Sequence, residues 1–159
     1  MSINLGAFDH NILHLISYNS KALHDYSIED IYEAGIVLKG TEVKSLRRFK
    51  TNLGDSHASI DDGEIFIHNL HIPEYTEANR FNHYPKRPRK ILLKKTQIKK
   101  LIGLTQRKGM TLIPLQFYFN RKNIAKLVLA VAKGKKQYDK RESIKKRDVN
   151  REIARSLKR

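Results

Sequence analysis

With 159 residues and a formal net charge of +16, the chain has room for one domain with a real core plus an appended segment, and it is strongly attracted to polyanions. It has no cysteine, which excludes disulfide frameworks and cysteine-ligated zinc and fits a reducing cytoplasm. Its apolar runs are too short to span a bilayer, and MSINLGAFDHNILHLISYN lacks the charged and apolar regions of a signal peptide, so a cytoplasmic location is expected.

The charge is unevenly spread. Residues 1–79 hold six Lys or Arg against twelve Asp or Glu, residues 80–109 hold eleven basic side chains and no acid, and residues 133–159 hold twelve basic against four acidic. Such an asymmetry repels itself unless a polyanion offsets it, so nucleic acid is the first partner to consider and an anionic membrane the second. A membrane is the poorer choice because no segment carries a strongly amphipathic aromatic face.

In chain order, residues 1–18 mix Leu5, Phe8, Ile12, Leu13, Leu15 and Ile16 with Asp and His at spacings that suit a short helix at best. They read as an N-terminal extension. His24 to Leu38 is the first long strand, bulged near Asp30 where the alternation slips, with Ala34, Ile36 and Leu38 on one face and Glu33, Val37 and Lys39 on the other. Gly40 turns the chain and Thr41 is the expected N-cap of a short helix with Glu42 in its first turn. Val43 and Leu46 then plug one end of a sheet while Lys44, Arg47 and Arg48 stay outside. Two readings stand for those cations, a lid that meets an anion or a solvated face that only confers solubility.

Ser56–Ile60 and Glu64–Leu70 read as a hairpin around Asp61-Asp62-Gly63, with Ile65 and Ile67 on one face. Pro73 to Pro88 is a long loop in which Tyr75, Phe81, His83 and Tyr84 interleave with Arg80, Lys86 and Arg87, the stacking-plus-phosphate composition of RNA binders. The rings either stack on bases or pin the loop to the scaffold. Arg89–Lys95 is a strand with Ile91 and Leu93 inward, followed by a helix from Thr96 with Ile98, Leu101, Ile102 and Thr105 on one face and Gly109 as its stop. Met110–Phe119 and Ile124–Ala132 form the clearest hairpin, where Leu127, Leu129 and Val131 alternate with Lys126, Val128 and Ala130, and Pro114 demands an edge or a bulge.

Six strands with a helix before the last pair predict an all-β domain with accessory helices, an OB-type antiparallel barrel over residues 19–132. The β-α-β-β-α-β order of an RRM is not there. From Lys133 the chain becomes a basic tail whose Val149, Ile153 and Leu157 make a stripe too thin to bury. It is expected to be disordered alone and helical on a polyanion, the alternative being a purely solubilising tail. The seven histidines are scattered and Asp61-Asp62 is turn chemistry, so no catalytic residue, metal site, cofactor or small-molecule substrate is expected; His24 and His83 read as hydrogen-bonded structural histidines.

Three blocks, NSKALHDYSIEDIYEAGIVLKGTEVKSLR (19–47), NRFNHYPKRPRKILL (79–93) and VAKGKKQYDKRESIKKRD (131–148), closely resemble the small protein B family of SsrA-binding proteins, which bind transfer-messenger RNA in bacteria. The resemblance implies an OB-fold barrel, monomeric and non-enzymatic, that holds the transfer-RNA-like domain. It also implies a tail that enters the empty mRNA channel of the small subunit near the decoding centre. By the same resemblance, Glu33 is the acidic residue of the RNA face, Leu92 and Lys94 stand where the family has a leucine and usually a polar partner, and Lys21, Lys44, Arg47, Arg87, Arg89 and Lys90 fall on its basic RNA-facing positions. Gly134, Lys135 and Lys136 match the hinge, and Asp139, Lys140 and Arg141 the tail motif, with Lys145, Arg147, Arg151 and Arg155 as further basic tail positions. Ser20 and Leu23 depart from the family's basic or small residues, and Tyr138 replaces a frequent histidine. A generic ribosome-associated assembly factor with a barrel and a basic tail is the rival reading.

Overall fold

A computed structural model describes residues 5–78, 80–107 and 109–157, without the side chains of Leu5, Gln137, Tyr138 and Asp139. Two single 3₁₀ turns, Leu5–Ala7 and Asp9–Asn11, lead into β1 (Ile12–Tyr18), α1 (Ser20–Asp25) and β2 (Tyr26–Ile36). There follow α2 (Gly40–Arg48), the hairpin β3 (His57–Asp61) and β4 (Glu64–His68), β5 (Arg89–Leu92) and α3 (Lys95–Thr105). The hairpin β6 (Met110–Asn120) and β7 (Ala125–Gly134) and the long α4 (Gln137–Leu157) complete the chain. All pairings are antiparallel, and β3, β4, β5, β2, β7 and β6 pair in turn until β6 returns to β3, closing the OB-type ring. No described helix is long and apolar enough to cross a membrane.

Alternation fills the ring. Ala34 and Ile36 of β2, Ile65 and Ile67 of β4, Ile91 of β5, Phe117 of β6 and Leu127, Leu129 and Val131 of β7 meet inside it, with Leu46 of α2 and Leu101 of α3 closing openings. Val43 packs against the same core, as its spacing from Leu46 requires. The β2 register slips between Ile28 and Asp30, and that of β6 between Pro114 and Gln116, where the proline has no N–H for the ladder. Asp62 and Gly63 take φ of 48° and 73°, the double left-handed turn that a two-residue hairpin needs.

Three expectations change. Residues 12–18 are not helical but form a seventh strand on β6, with register slips at Ile12/His14 and Leu15/Ser17. Those slips destroy the alternation that would have announced a strand. Residues 20–25 are a short helix, so β2 starts at Tyr26; Asn19 accepts from the Ala22 N–H at 3.0 Å and donates to the Pro114 carbonyl at 2.9 Å, tying the helix start to the β6 bulge. α2 begins two residues early: Lys39 takes the extended N-cap position, its N–H donates to Glu42 Oε2 at 2.7 Å, and the Thr41 hydroxyl instead meets His83 Nδ1 at 2.9 Å.

β1, α1 and the 3₁₀ turns have a packing purpose. Phe8, Ile12, Tyr26, Ile28 and Ile31 cover a second apolar cluster of Ala22, Ile113, Leu115, Tyr118, Val128, Ala130 and Ala132 on the outside of the ring. β7 is therefore buried on both faces, which is why LVLAVA runs apolar without a break. The tail, expected to lack shape alone, is helical over Gln137–Leu157, but every residue from Lys145 to Leu157 is exposed and the Val149, Ile153 and Leu157 stripe remains unburied.

Candidate nucleic-acid interface

The most constrained polar group in the molecule is Glu42. It is 0 % exposed and shares that depth with Arg89, also 0 % exposed, while Arg87 closes the pair from the outside. Glu42 Oε1 accepts from Arg87 Nε and Arg89 Nε, both at 2.8 Å, and Oε2 accepts from Arg87 Nη2 at 2.6 Å and the Lys39 N–H at 2.7 Å. Four donors saturate the carboxylate. Arg89 also donates to the carbonyls of Leu70 and Pro85, and so holds both sides of the long loop. His83, 2 % exposed, lies 3.0 Å from the Ile72 carbonyl, and Asn82 pairs with the Tyr75 backbone in both directions at 3.1 and 2.8 Å. The expectation of a structural His83 holds.

Arg89 is thereby corrected: the resemblance put it among the RNA-facing cations, and the structure puts it inside the protein. Its parity gave the signal, because Arg89 and Ile91 are two apart on one strand and Ile91 points inward. Glu42 likewise lies one helical turn before the buried Leu46. Arg87 is half in, and its guanidinium is engaged with Glu42.

What the clamp presents outward is a loop with free rings. Phe81 is 90 % and Tyr84 70 % exposed, geometry suited to stacking, whereas Tyr75 is engaged, with Arg48 and Lys44 5.3 and 5.8 Å from its centroid and its hydroxyl donating to Glu77 at 2.8 Å. Lys44 and Arg47 are exposed on α2, and Arg47 lies 5.7 Å from the Phe119 ring.

Glu33 and Leu92 lie on the same outer face of the ring. Gly35 pairs with Leu92 across β2 and β5 and with Lys126 across β2 and β7, and Glu33 lies two residues before it on the same face. A Cβ on Gly35 would stand 3.3 Å from Leu92 Cβ, so the glycine keeps this face low between a carboxylate, a cation and a half-exposed leucine. Lys126 and, beneath it on β6, the buried Tyr118 were not singled out by the sequence. The Tyr118 hydroxyl has no hydrogen-bond partner among the described residues, and burial, with the Glu33 charge, raises its pKa. Lys94 starts α3 with its N–H donating to Gln97 at 3.1 Å and its side chain exposed; Lys90 pairs with Glu64 at 2.6 Å on the solvent side. Lys21 is exposed on α1 with Asp55 4.0 Å away.

Of the tail positions, Gly134 and Lys136 are exposed, Lys135 is half-buried against α1, and Lys140 is half-buried beside Asp25. Arg141, Lys145, Arg147, Arg151 and Arg155 are exposed; the side chains of Tyr138 and Asp139 lie outside those described. Among the described residues no group of three or more His, Asp or Glu is placed to hold a metal ion.

Residues 16–159 match the family model of the SmpB protein. The chain is 59 % identical over 144 residues to an SsrA-binding protein of Nitrobacter hamburgensis, covering 91 % of this chain and 92 % of that protein. It is 52 % identical to an SsrA-binding protein of Moorella thermoacetica, covering 91 % and 93 %. A chain of the solved structure described as "tmRNA-SmpB: a journey to the center of the bacterial ribosome" superposes with a TM-score of 0.64 at 43 % identity, over 84 % of this chain and 94 % of that one. Together with the ring, these likenesses show that the chain belongs to the SmpB family.

Proposed function

We propose that this protein binds transfer-messenger RNA and brings it to stalled ribosomes in trans-translation, without enzymatic activity of its own, acting in the cytoplasm. The barrel grips the transfer-RNA-like domain, and the tail enters the empty mRNA channel near the decoding site. The observation that carries this is the likeness over 84 % of the chain to the SmpB chain of a tmRNA–ribosome structure. The local chemistry supports it: exposed Lys21, Lys44, Arg47 and Lys94 offer phosphate contacts, and Phe81 and Tyr84 offer stacking faces. Glu33 beside Leu92 supplies an acceptor for base amino groups or 2′-hydroxyls, and so selects a folded loop over bare backbone.

Two outcomes test this. Glu33→Ala is expected to weaken binding of the transfer-RNA-like domain about tenfold in filter binding, while the slope of log affinity on log salt stays unchanged, since no phosphate contact is removed. Lys44→Ala with Arg47→Ala is expected to flatten that slope by about one to two units. RNA co-purifying with the protein is expected to be one stable species; recovery of bulk ribosomal RNA alone would favour the assembly-factor reading.

A further inference from the structure

The tail leaves the barrel beside α1, and one residue makes the join. The Lys135 N–H donates to the Asp25 carbonyl at 2.9 Å and its Nζ donates to the Leu23 carbonyl at 3.1 Å. Both carbonyls lie in the last turn of α1, where the helix has run out of its own donors and where its dipole favours a cation. The Asp25 carboxylate lies 2.8 Å from His24 Nδ1 and 3.9 Å from Lys140 Nζ. The His24 hydrogen bond, opposed by some burial and helped by the Lys140 charge, keeps the Asp25 carboxyl below its usual range, so the group is an anion at neutral pH. Further along α4, Ser143 and Arg147 face Ser20, Leu23 and His24 across a small cleft. On the other side the root is open: a Cβ at Gly134 would meet nothing within 4 Å, and Lys136 is exposed.

We infer that Asp25, together with the Leu23 and Asp25 carbonyls, is a positioning element for the tail: it fixes the direction in which α4 leaves the barrel relative to Lys21, which lies on the same helix. The inference rests on the tail acting at the ribosome as proposed above. Without this catch the glycine side of the root lets α4 sweep a wide cone. The tail's effective concentration at one channel mouth then falls, although the barrel still holds its RNA. The contacts are half-buried and individually weak, so α4 is aimed and not immobilised, and a stronger polyanion displaces it.

The chain has no cysteine of its own, so spin labels at Lys50→Cys and Asn150→Cys report the barrel-to-tail distance in the full-length protein. The parent and Asp25→Glu are expected to give one narrow distance distribution, and Asp25→Lys, which repels Lys135 and Lys140, a broad one. In vitro tagging is expected to drop about five- to tenfold in Asp25→Lys and to stay within about twofold in Asp25→Glu, with RNA affinity within about twofold in both. Lys135→Met, which removes only the Nζ contact, is expected to broaden the distribution partway. Equal distributions in all four proteins would overturn the inference, as would tagging that survives the broadening, or RNA affinity that falls in step with tagging. A chain ending at Lys133 that still tags would instead sink the role assigned to the tail, and the distance distributions would then decide this inference alone.

Discussion

Glu42→Ala is expected to cost about 3–5 kcal/mol of stability and to lower Tm by about 6–20 °C, because it leaves a guanidinium buried without its partner. Arg89 is 0 % exposed, and the carbonyls of Leu70 and Pro85 do not neutralise it. Glu42→Gln keeps the shape and loses the charge, so it falls in the same direction. The pH dependence has a definite sign. Burial alone would push the Glu42 carboxyl up, but the hydrogen bonds from Arg87, the Lys39 N–H and Arg89 outweigh it and hold the group below its usual value. A carboxyl depressed on folding contributes fully above its unfolded value of about 4.3, and the contribution drains as pH falls through the folded value. Thermal melts from pH 7 to pH 3 should therefore fall more steeply for the parent than for Glu42→Gln. Parallel curves, or a Glu42→Ala protein melting within a degree or two of the parent, would show that the buried pair contributes little.

Truncation after Lys133 is expected to abolish peptide tagging while RNA affinity stays within about threefold at moderate salt. The division follows from where the groups are: Glu33, Leu92 and the exposed cations of α1 and α2 all belong to the barrel, and from Lys145 to Leu157 every residue of the tail is exposed. Filter binding on the transfer-RNA-like domain and an in vitro tagging assay read the two halves separately. If truncation and Glu33→Ala weakened RNA binding equally, the two parts would not have separate tasks.

The sequence made the ring legible wherever a local rule and the global fold agreed. Asp61-Asp62-Gly63 is a turn because its backbone needs two left-handed residues, Pro114 is a bulge because it lacks an N–H, and β7 is an unbroken apolar run because both of its faces are buried. β1 was illegible because two register slips in seven residues leave Leu13, Leu15 and Tyr18 exposed and only Ile16 buried. In the candidate interface, charge alone misjudges depth. A run of cations reads as surface, yet the strand period carries Arg89 inward to the Glu42 carboxylate. The fold of the tail was not decidable from its stripe, since a helix that buries nothing there depends on its own i,i+4 support, such as Glu142 with Lys146 at 3.3 Å.

The Arg89 clamp changes how a mutational scan of this region should be interpreted. Because one guanidinium holds the Leu70 and Pro85 carbonyls, the two sides of the loop displaying Phe81 and Tyr84 are tied together in the free protein, and on the function proposed above that part of the ordering entropy is not deducted from RNA affinity. Alanine at Arg89 would therefore weaken RNA capture without removing a counterion-releasing contact: a defect of rigidity presenting as a defect of charge, distinguishable by its unaltered ionic-strength response.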